Sequence, residues 1–396
     1  MEITLAKKDL LRLVTRMQGV AERKSTMPAL SSVLLAVEAD TKPGSSGSLR
    51  LAATDLYLSL VGRIPVEVAK PGSVAVPAKD LFERIKMMPD GPIQIIAVAG
   101  AATTLKAKGS ARRYTLRGMP GEDFPPLPSP QEGAASLSLE VAVLKDLIDK
   151  TYFSISTDET RAHLNSALFE WEGATVRMVT TDGHRLSKYE ATVEGKLASA
   201  TMLIPLKAIM ELRGLCDEAI SQADSAGSEV TITQSGASAF FQFGTMTFSV
   251  KLVDAQFPPY GQVVPQSSDK AIKASRAELA SALRAVSIAA SERTGGVKVQ
   301  IGAGTMRISS ESPDSGDGFD ELPVDYDGAA VTIGFNAKYF LDVLNALDSD
   351  TVVLSLNGEL DPAVLRPGQG EADAKNAKGT TATNRDFLAV IMPMRI

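Results

Sequence analysis

One short segment of the chain carries the residue types of an acid–base pair. Residues 181–186 read TDGHRL, so Asp182 and His184 stand two positions apart, as an orienting carboxylate and the general base of a hydrolase could. The same segment is typical of a tight turn, in which Asp and Gly provide the backbone geometry and the following His and Arg are exposed. Asp55 ends a similar segment without a nearby His, which favours the structural interpretation.

No other pattern in the sequence is typical of catalysis or of metal binding. The phosphate-binding pattern G-x-x-x-x-G-K-[ST], the zinc pattern H-E-x-x-H and the nucleophile pattern G-x-S-x-G are absent from it. His163 has no chemical partner nearby in the sequence, and two histidines with one cysteine nearly exclude a His/Cys metal site. We therefore predict no cofactor and no metal, and we favour a protein that is not an enzyme.

Charge, length and cysteine content restrict the class of protein. The 396 residues carry a formal net charge of −6 and one cysteine, Cys216, which fits a reducing cytoplasm. The N-terminal sequence lacks the features of a secretory signal, and no apolar run is as long as a membrane span. A net negative chain does not coat itself with nucleic acid, so any contact with DNA must be local, weak or enforced by shape.

A repeat of about 130 residues organises the chain. Its clearest unit is a short apolar strand, a Pro or Asn, a Lys and an amphipathic helix, with the lysine at Lys79, Lys207 and Lys338. Proline suits the first helical position and asparagine is a good N-cap, so each copy predicts a junction between a strand and a helix. Another amphipathic helix opens each third.

Two further landmarks recur in the same order. An alternating strand ends in an acidic turn at Asp55, Asp182 and Glu311, and a Phe-Pro-Pro motif follows at Phe124 and Phe257. The Pro-rich stretches that begin at these phenylalanines are interpreted as linkers.

The sequence therefore predicts an α+β fold of three repeated domains. Their predicted limits are 1–128, 136–263 and 270–396, and each domain contains two helices packed on an antiparallel sheet. Residues 42–48 and 366–385 interrupt the pattern and are predicted to be inserted loops.

Segment 181–186 resembles a hallmark of the bacterial beta sliding clamp family, the beta subunits of DNA polymerase III. Residues 390–396, VIMPMRI, are similar to the terminal strand of that family, and residues 251–258 and 333–347 resemble further family segments in the same order. The likeness spans the whole chain. It implies a non-catalytic processivity factor built as a head-to-tail homodimer, a ring of six domains with helices lining the pore and sheets outside.

Domain size is compatible with a ring of two chains around DNA. A domain of about 130 residues has a radius of gyration of about 14 Å, which corresponds to a sphere about 36 Å wide. Six touching spheres of this size leave a hole of about 36 Å, whereas four leave about 15 Å. A duplex is roughly 20 Å across. One chain therefore cannot encircle DNA, and two chains can.

The distribution of charge predicts the subunit boundary. Residues 106–117 contain five basic residues and no acid, whereas residues 309–327 contain seven acids and no base. The family places these segments against each other, where complementary charge would set the pairing; the alternative is two solvated loops of opposite charge. The predicted boundary residues are Lys106, Arg112, Arg113, Tyr114, Leu116, Ile288, Glu311, Asp314 and Asp317.

Basic residues on the predicted helices are candidates for contacts to DNA. Loose phosphate contacts that do not depend on sequence are weak and screened by salt, as sliding requires. For any single residue the alternative is a solvated position on a helix. The predicted DNA-facing residues are Arg12, Arg16, Lys24, Lys79, Lys207 and Lys338.

The resemblance also implies a pocket for partner peptides on the second and third domains. Its residues, carried over from matching positions, are Leu164, Thr181, Gly183, His184, Arg185, Leu186, Pro258, Val263, Asn336, Tyr339, Leu360, Pro362, Val390, Met392, Pro393, Met394 and Arg395. Methionine offers adaptable apolar surface that suits several linear motifs, although without the family the Met and Leu positions would be interpreted as core. Gln262 and Thr294 depart from residues that some family members carry, which leaves the rim of the pocket open.

Three functional hypotheses follow from the sequence. The first is a DNA sliding clamp that binds a second copy of itself, duplex DNA, the DNA polymerase III alpha subunit, a clamp loader and other proteins with clamp-binding motifs. The second is a specialised second copy of such a clamp with altered partner or inhibitor binding. The third is a hydrolase that uses Asp182 and His184. We favour the first, in the cytoplasm and without a membrane partner.

Overall fold

The structure is a computed structural model that describes residues 1–22, 25–37, 45–98, 102–222, 228–291, 294–313, 315–368 and 385–395. Two predicted site residues, Lys24 and Asp314, lie outside the described residues, as does most of the predicted loop 366–385. The chain divides into two compact units. The first contains Met1–Leu139 and Glu218–Leu252, and the second contains Glu140–Asp217 and Val253–Ile396.

Helices and antiparallel strands account for most of the described chain. The α-helices are α1 (Lys7–Val20), α2 (Ala78–Lys86), α3 (Val141–Asp149), α4 (Leu206–Gln222), α5 (Arg276–Ser287) and α6 (Ala337–Ala346). The strands are β1 (Glu2–Ala6), β2 (Ser32–Val37), β3 (Ser45–Thr54), β4 (Leu58–Lys70), β5 (Gly72–Pro77), β6 (Pro92–Ala97), β7 (Ala102–Ala107), β8 (Arg113–Arg117), β9 (Met119–Pro120), β10 (Ala135–Glu140), β11 (Ser166–Thr181), β12 (Arg185–Pro205), β13 (Glu229–Ser235), β14 (Ser238–Phe243), β15 (Met246–Lys251), β16 (Lys270–Ser275), β17 (Gly296–Gly302), β18 (Thr305–Ser312), β19 (Gly316–Asp325), β20 (Val331–Asn336), β21 (Thr351–Leu356), β22 (Ala363–Pro367) and β23 (Arg385–Ile391). Short 3₁₀ helices cover Pro28–Ser31, Gly121–Asp123, Tyr152–Ser154 and Tyr260–Gln262.

The predicted helix pair is present in each third of the chain, and the α+β prediction is confirmed. Lys79, Lys207 and Lys338 each occupy the second position of the helix that follows a strand. Asn336 caps α6 as predicted, because its side chain accepts a hydrogen bond of 2.9 Å from the Lys338 amide. Pro77 was expected at the first helical position; it is instead the cap residue before α2, with φ of −54°.

Each sheet joins strands from two neighbouring thirds of the sequence. The 13-stranded sheet of the first unit pairs β15 with β4, so Met246 lies opposite Gly62. The ten-stranded sheet of the second unit pairs β12 with β23, so Leu186 lies opposite Val390. The strands of the middle third are therefore divided between the two sheets, and the domain limits remain a prediction.

The apolar stripe of α1 shows how a helix is fixed on its sheet. Leu10, Leu13, Val14 and Met17 follow helical spacing, and all four are buried. Gly62 of β4 lies directly under this stripe, because a Cβ atom there would lie 2.6 Å from Leu13 Cδ1. A larger residue at position 62 would therefore force the buried Leu13 side chain to shift.

Two expectations about local structure need correction. Glu311 does not end its strand in an acidic turn, because β18 continues to Ser312 and Glu311 is paired with Asp317 of β19. Residues 45–48 were included in a predicted loop, but they form the start of β3 and pair with β4. Ser45–Ser48 reads SSGS, without apolar residues at alternate positions, so its sequence gave no strand signal; pairing with the long β4 holds it as a strand.

Cys216 is buried, which raises the pKa of its thiol to about 12 and keeps it protonated at neutral pH. None of the described helices is long and apolar enough to cross a membrane.

Candidate functional site

The turn after β11 keeps its shape through hydrogen bonds between side chains and backbone. Thr181 Oγ1 donates to the Arg185 carbonyl (2.6 Å) and accepts from the Gly183 amide (3.1 Å). Asp182 Oδ1 accepts from the amides of His184 (2.9 Å) and Arg185 (3.1 Å). Gly183 has φ of +91°, which L side chains rarely adopt. The segment is the tight turn of the structural interpretation.

This turn does not support the hydrolase hypothesis. The two oxygens of Asp182 accept hydrogen bonds from backbone amides and from Arg185 Nε (3.0 Å). A carboxylate that orients a general base must accept from the imidazole, whereas here it accepts from the His184 backbone. The His184 side chain is exposed. Asp182 is a structural residue of the turn.

Arg185 fastens the turn to α6. Its side chain is buried, and NH1 lies 2.6 Å from Asp342 Oδ2. Another guanidinium nitrogen donates to the Phe153 carbonyl. The guanidinium carbon lies 4.5 Å from the centre of the Tyr339 ring, a cation–π distance. Burial is the main cause that raises the pKa of Tyr339, and the nearby Asp182 carboxylate raises it further. Arg185 and Tyr339, both predicted pocket residues, are therefore engaged with each other.

An apolar cluster contains the residue that follows the turn, Leu186. Its buried members are Leu168, Val179, Leu186, Leu203, Phe257, Val364, Leu388 and Val390, and Val253, Tyr260, Val263 and Val264 pack against them while partly exposed. Strands β11, β12, β22 and β23 supply most of these side chains. Three predicted pocket residues, Leu186, Val263 and Val390, are thus brought together.

A groove of about 430 Å³ shares residues with the apolar cluster. This linker groove is lined by Leu168, Glu170, Thr201, Leu203 and residues 255–262. Leu168, Leu203 and Phe257 belong to both the groove and the cluster, so part of its lining is apolar and buried. The predicted residue Pro258 and the variant position Gln262 also line it. A concave apolar surface of this size can accept side chains of a partner segment.

Hydrogen bonds and an ion pair define one side of the linker groove. The Tyr260 hydroxyl donates to Glu170 Oε2 (3.2 Å), and Arg177 NH1 donates to the Tyr260 hydroxyl (3.4 Å). Arg177 Nε lies 2.7 Å from Glu190 Oε1. Burial is the main cause that raises the pKa of Tyr260, and the Glu170 carboxylate raises it further. The hydroxyl therefore remains a donor at neutral pH. This network holds Tyr260 against the apolar cluster.

The end of the chain is held by two backbone hydrogen bonds. The Met392 amide donates to the His184 carbonyl (2.9 Å), and the Met394 amide donates to the Gly334 carbonyl (2.8 Å). Strand β23 ends at Ile391 because Pro393 has no amide hydrogen with which to continue the ladder. Residues 392–394 are half-buried. The predicted terminal strand is therefore shorter than expected, and its last residues connect the turn with β20.

A second groove, of about 1050 Å³, lies in the last third of the chain. Its lining includes Leu360, Met394 and Arg395 from the predicted pocket and Glu311 and Asp317 from the predicted boundary. Leu360 is 71% exposed. The predicted pocket residues are thus distributed over two grooves and the turn.

The remaining predicted pocket residues mainly support the local backbone. The Leu164 side chain is buried, and its carbonyl accepts from the Ser156 amide (2.9 Å). Asn336 Nδ2 donates to the Thr294 carbonyl (3.0 Å) in addition to capping α6. Pro362 is half-buried just before β22.

Sequence reasoning missed several residues that form the floor of the linker groove. Among them are Leu168, Leu203, Phe257 and Tyr260. Alternating apolar residues in β11 are a signal that could have placed Leu168 in a half-buried strand, and the repeated Phe-Pro-Pro motif marked Phe257, but that motif was interpreted only as the start of a linker. Their proximity to Leu186 depends on the pairing of β11 with β12, where Leu168 lies opposite Leu203.

Most of the predicted DNA-facing residues are on helices and at least partly exposed. Lys79, Lys207 and Lys338 are exposed at the second position of their helices. A cation at a helix N-terminus opposes the helix dipole, which costs about 0.3–1 kcal/mol, so helix stability does not explain the repeated placement. Arg12 and Arg16 lie on α1 and form ion pairs with Glu218.

The predicted basic boundary segment forms an open strand edge in the first unit. Among the described strands, β8 pairs only with β7. Lys106, Lys108, Arg112 and Arg113 line a groove of about 390 Å³ at this hairpin. Leu116 is buried within its own unit, so it supports the edge instead of offering contact area.

The predicted acidic boundary segment is a strand edge of the second unit. Within the described chain, β19 pairs fully with β18 but meets β16 only at Val324 and Asp325. Glu311 stands directly opposite Asp317 in the β18–β19 register, and both are exposed. Like charges placed opposite each other destabilise a sheet, so this edge would gain from an external cation. Ile288, after α5, is 81% exposed.

Comparisons with known families cover almost the whole chain. A family model described as DNA polymerase III beta subunit, N-terminal domain, matches residues 1–128. The model of the central domain matches residues 138–259, and that of the C-terminal domain matches residues 261–395.

Individual relatives agree with these matches. The beta sliding clamp of Pseudomonas aeruginosa is 34% identical over 402 residues, which is 100% of both chains. The beta sliding clamp of Escherichia coli is 30% identical over 398 residues, again with 100% of both chains covered. The crystal structure of the DNA polymerase III subunit beta from Pseudomonas aeruginosa superposes with a TM-score of 0.87 at 32% identity, over 100% of both chains.

Proposed function

The chain belongs to the beta sliding clamp family, the beta subunits of DNA polymerase III, and on this basis we propose how it works. Members of this family are DNA sliding clamps, processivity factors and not enzymes, and the family implies DNA, a polymerase and a second subunit as partners. Two copies of the chain join head to tail, enclose duplex DNA and tether the DNA polymerase III alpha subunit, the clamp loader and other partners. We place this activity in the cytoplasm.

The observation that carries the proposal is a pair of open strand edges with opposite charge. The edge at β8 presents Arg113 and the groove of basic residues beside it. The edge at β19 is next to the opposed carboxylates of Glu311 and Asp317. An exposed strand edge is a template for pairing with another chain. Two unlike edges on one chain produce a head-to-tail contact, which closes into a ring when the rotation permits it.

Charge complementarity gives this contact its specificity. Arginines from the β8 edge of one subunit would neutralise the Glu311–Asp317 repulsion of the other, and the exposed Ile288 would add apolar area. Two β8 edges would bring like charges together, and so would two β19 edges. Head-to-tail pairing is therefore favoured over either symmetric pairing.

The partner site consists of the apolar cluster, the linker groove and the chain end. Leu186 and Val390 supply the buried floor, while Val263 and Tyr260 remain partly exposed against it. Met392 and Met394 lie half-buried next to the turn and β20. A linear motif with apolar anchors would bind there, because its anchors would bury area that is now partly exposed. Exposed Gln262 would contact the flanks of such a motif.

Retention on DNA tests the ring. We expect a dimer near twice 41.8 kDa that stays on closed circular DNA after loading and is lost when the circle is linearised. The variant Arg112→Glu/Arg113→Glu should sediment as a monomer, and an equimolar mixture with Glu311→Arg/Asp317→Arg should restore the dimer. A stable wild-type monomer, or equal retention on circular and linear DNA, would contradict the proposal.

A further inference from the structure

Two arginines of α1 share a single carboxylate within the first unit. Arg16 Nε lies 2.5 Å from Glu218 Oε2, and Arg12 Nε lies 3.7 Å from Glu218 Oε1. Gln222 completes the network, because its Nε2 donates to Glu218 Oε1 (2.9 Å) and its Oε1 accepts from Arg12 NH1 (2.7 Å). All four residues belong to the same unit.

Burial of the network is asymmetric. The Glu218 side chain is only 7% exposed, whereas those of Arg12 and Arg16 are 41% and 32% exposed. The acid is therefore more deeply buried than the two bases, whose side chains remain partly exposed. Such an ion pair is weak evidence for a role in stability, since the cost of desolvating the carboxylate offsets much of the attraction. Another role is needed to explain an acid placed under these two arginines.

A similar arrangement recurs on the helices of the second unit. Lys145 of α3 lies 2.7 Å from both Asp149 and Asp217, and Arg213 lies 2.6 Å from Asp149. These cations, like Arg12 and Arg16, are partly exposed and held by acids on the helices themselves. Restraint of basic side chains by neighbouring carboxylates is thus a repeated feature.

We infer that Glu218 limits the grip of Arg12 and Arg16 on DNA and so keeps the clamp mobile. The inference rests on the proposed function, in which α1 lines a pore around the duplex. One carboxylate against two guanidinium groups leaves a local charge of +1 instead of +2. Each arginine also commits N–H groups to Glu218 or Gln222, which leaves fewer of them free to donate to a phosphate. Both effects weaken binding that is electrostatic and independent of sequence.

Removal of the charge of Glu218 tests this inference. For full-length Glu218→Gln and wild type, the affinity for a short blunt-ended duplex would be measured from 50 to 200 mM salt. Release of one or two arginines should steepen the dependence of log affinity on log salt by about 0.9 to 1.8. Over that range the variant should lose about 3.5-fold to about 12-fold more affinity than wild type. Its diffusion along DNA in single-molecule tracking should also be slower.

Control variants separate this effect from a general change of charge. Glu22→Gln removes one exposed carboxylate just beyond α1 and should leave the salt slope unchanged. Adding Arg12→Gln and Arg16→Gln to Glu218→Gln should abolish the gain. If Glu218→Gln fails to fold, Gln222→Ala removes the hydrogen bond to Arg12 without removing a partner of Arg16, and it should steepen the slope by at most about 0.9.

The outcomes distinguish this inference from the proposed function. A wild-type slope in a folded Glu218→Gln dimer, or an equal gain in Glu22→Gln, would overturn the inference and leave the ring intact. Failure of wild type to remain on circular DNA would instead refute the proposed function.

Discussion

The turn after β3 and the turn after β11 share their hydrogen bonds but differ at their tips. In the first, Thr54 Oγ1 donates to the Leu58 carbonyl (2.8 Å) and accepts from the Leu56 amide (3.0 Å). Asp55 Oδ1 accepts from the amides of Tyr57 (2.9 Å) and Leu58 (2.6 Å). Thr181 and Asp182 form the same four bonds in the second turn, so the repeated Thr-Asp pair dictates one backbone shape.

The same backbone shape supports different tips. The first turn places Leu56 at φ of +75°, a strained conformation for a branched side chain, and exposes both Leu56 and Tyr57. The second has Gly183 at φ of +91°, without strain. It also has buried Arg185 where the first has buried Leu58.

The apolar clusters near the two turns differ in size, and the second is the larger. The cluster near the first turn contains Leu34, Ala52, Ala75 and Phe124, with Ala36, Val61, Met119 and Leu127 packed against it. The cluster near the second turn has Val179, Leu203 and Phe257 and is larger. The two copies therefore differ in the residues at the tip and in the apolar cluster near the turn, and not in the hydrogen bonds that shape the backbone.

Deletion of the chain end should have the largest effect, because this segment contacts the turn that belongs to the proposed partner site. The amide of Met392 meets the second turn, whereas the Lys251 amide makes the matching bond to the Tyr57 carbonyl (2.8 Å) of the first. Deletion of residues 392–396 should lower the affinity for a polymerase-derived peptide more than about 100-fold in fluorescence anisotropy.

Sedimentation should show that the truncated protein remains a dimer. Tyr57→Ala, which changes the exposed tip of the first turn, should leave peptide affinity unaltered. Peptide binding that survives the truncation would show that the pocket is elsewhere.

A smaller effect is expected from the two aspartates. Asp182→Ala should lower the free energy of unfolding by about 3 kcal/mol, since buried Arg185 loses one of its two carboxylates. Asp55→Ala should cost about 1 to 2 kcal/mol, because Asp55 Oδ1 accepts from two backbone amides that would lose their acceptor. Urea denaturation would measure both, with Asp55→Asn and Asp182→Asn as controls that retain an acceptor. Equal losses in the two alanine variants would mean that the Arg185 network adds nothing.

The smallest effects should have opposite signs at the two tips. Gly183→Ala should destabilise the protein by about 1 to 2 kcal/mol, because its φ is unfavourable for a Cβ. Leu56→Gly relieves the same kind of strain and should stabilise it by up to about 1 kcal/mol. Differential scanning calorimetry would register the two shifts in Tm. A fall in Tm for Leu56→Gly would show that the exposed leucine contributes more than its strain removes.

Much of the fold followed from local patterns. The spacing of Lys79, Lys207 and Lys338 located three helices, because a strand, a cap and an amphipathic stripe are written within about a dozen residues. The turn at Asp182 was predicted from residue types alone, since its hydrogen bonds span only a few positions. Placement of Glu311 in a turn failed because its strand runs on through pairing with β19.

The sequence by itself determined the threefold repeat, the helix junctions and the turn, which all depend on neighbours along the chain. Only the tertiary structure decided that Arg185 meets Asp342, 157 positions away, and that Arg16 meets Glu218, 202 positions away. It also decided that each sheet joins strands of two thirds. Periodicity reports which face of an element is buried but not which distant element covers it, so partners and grooves follow from strand register and packing.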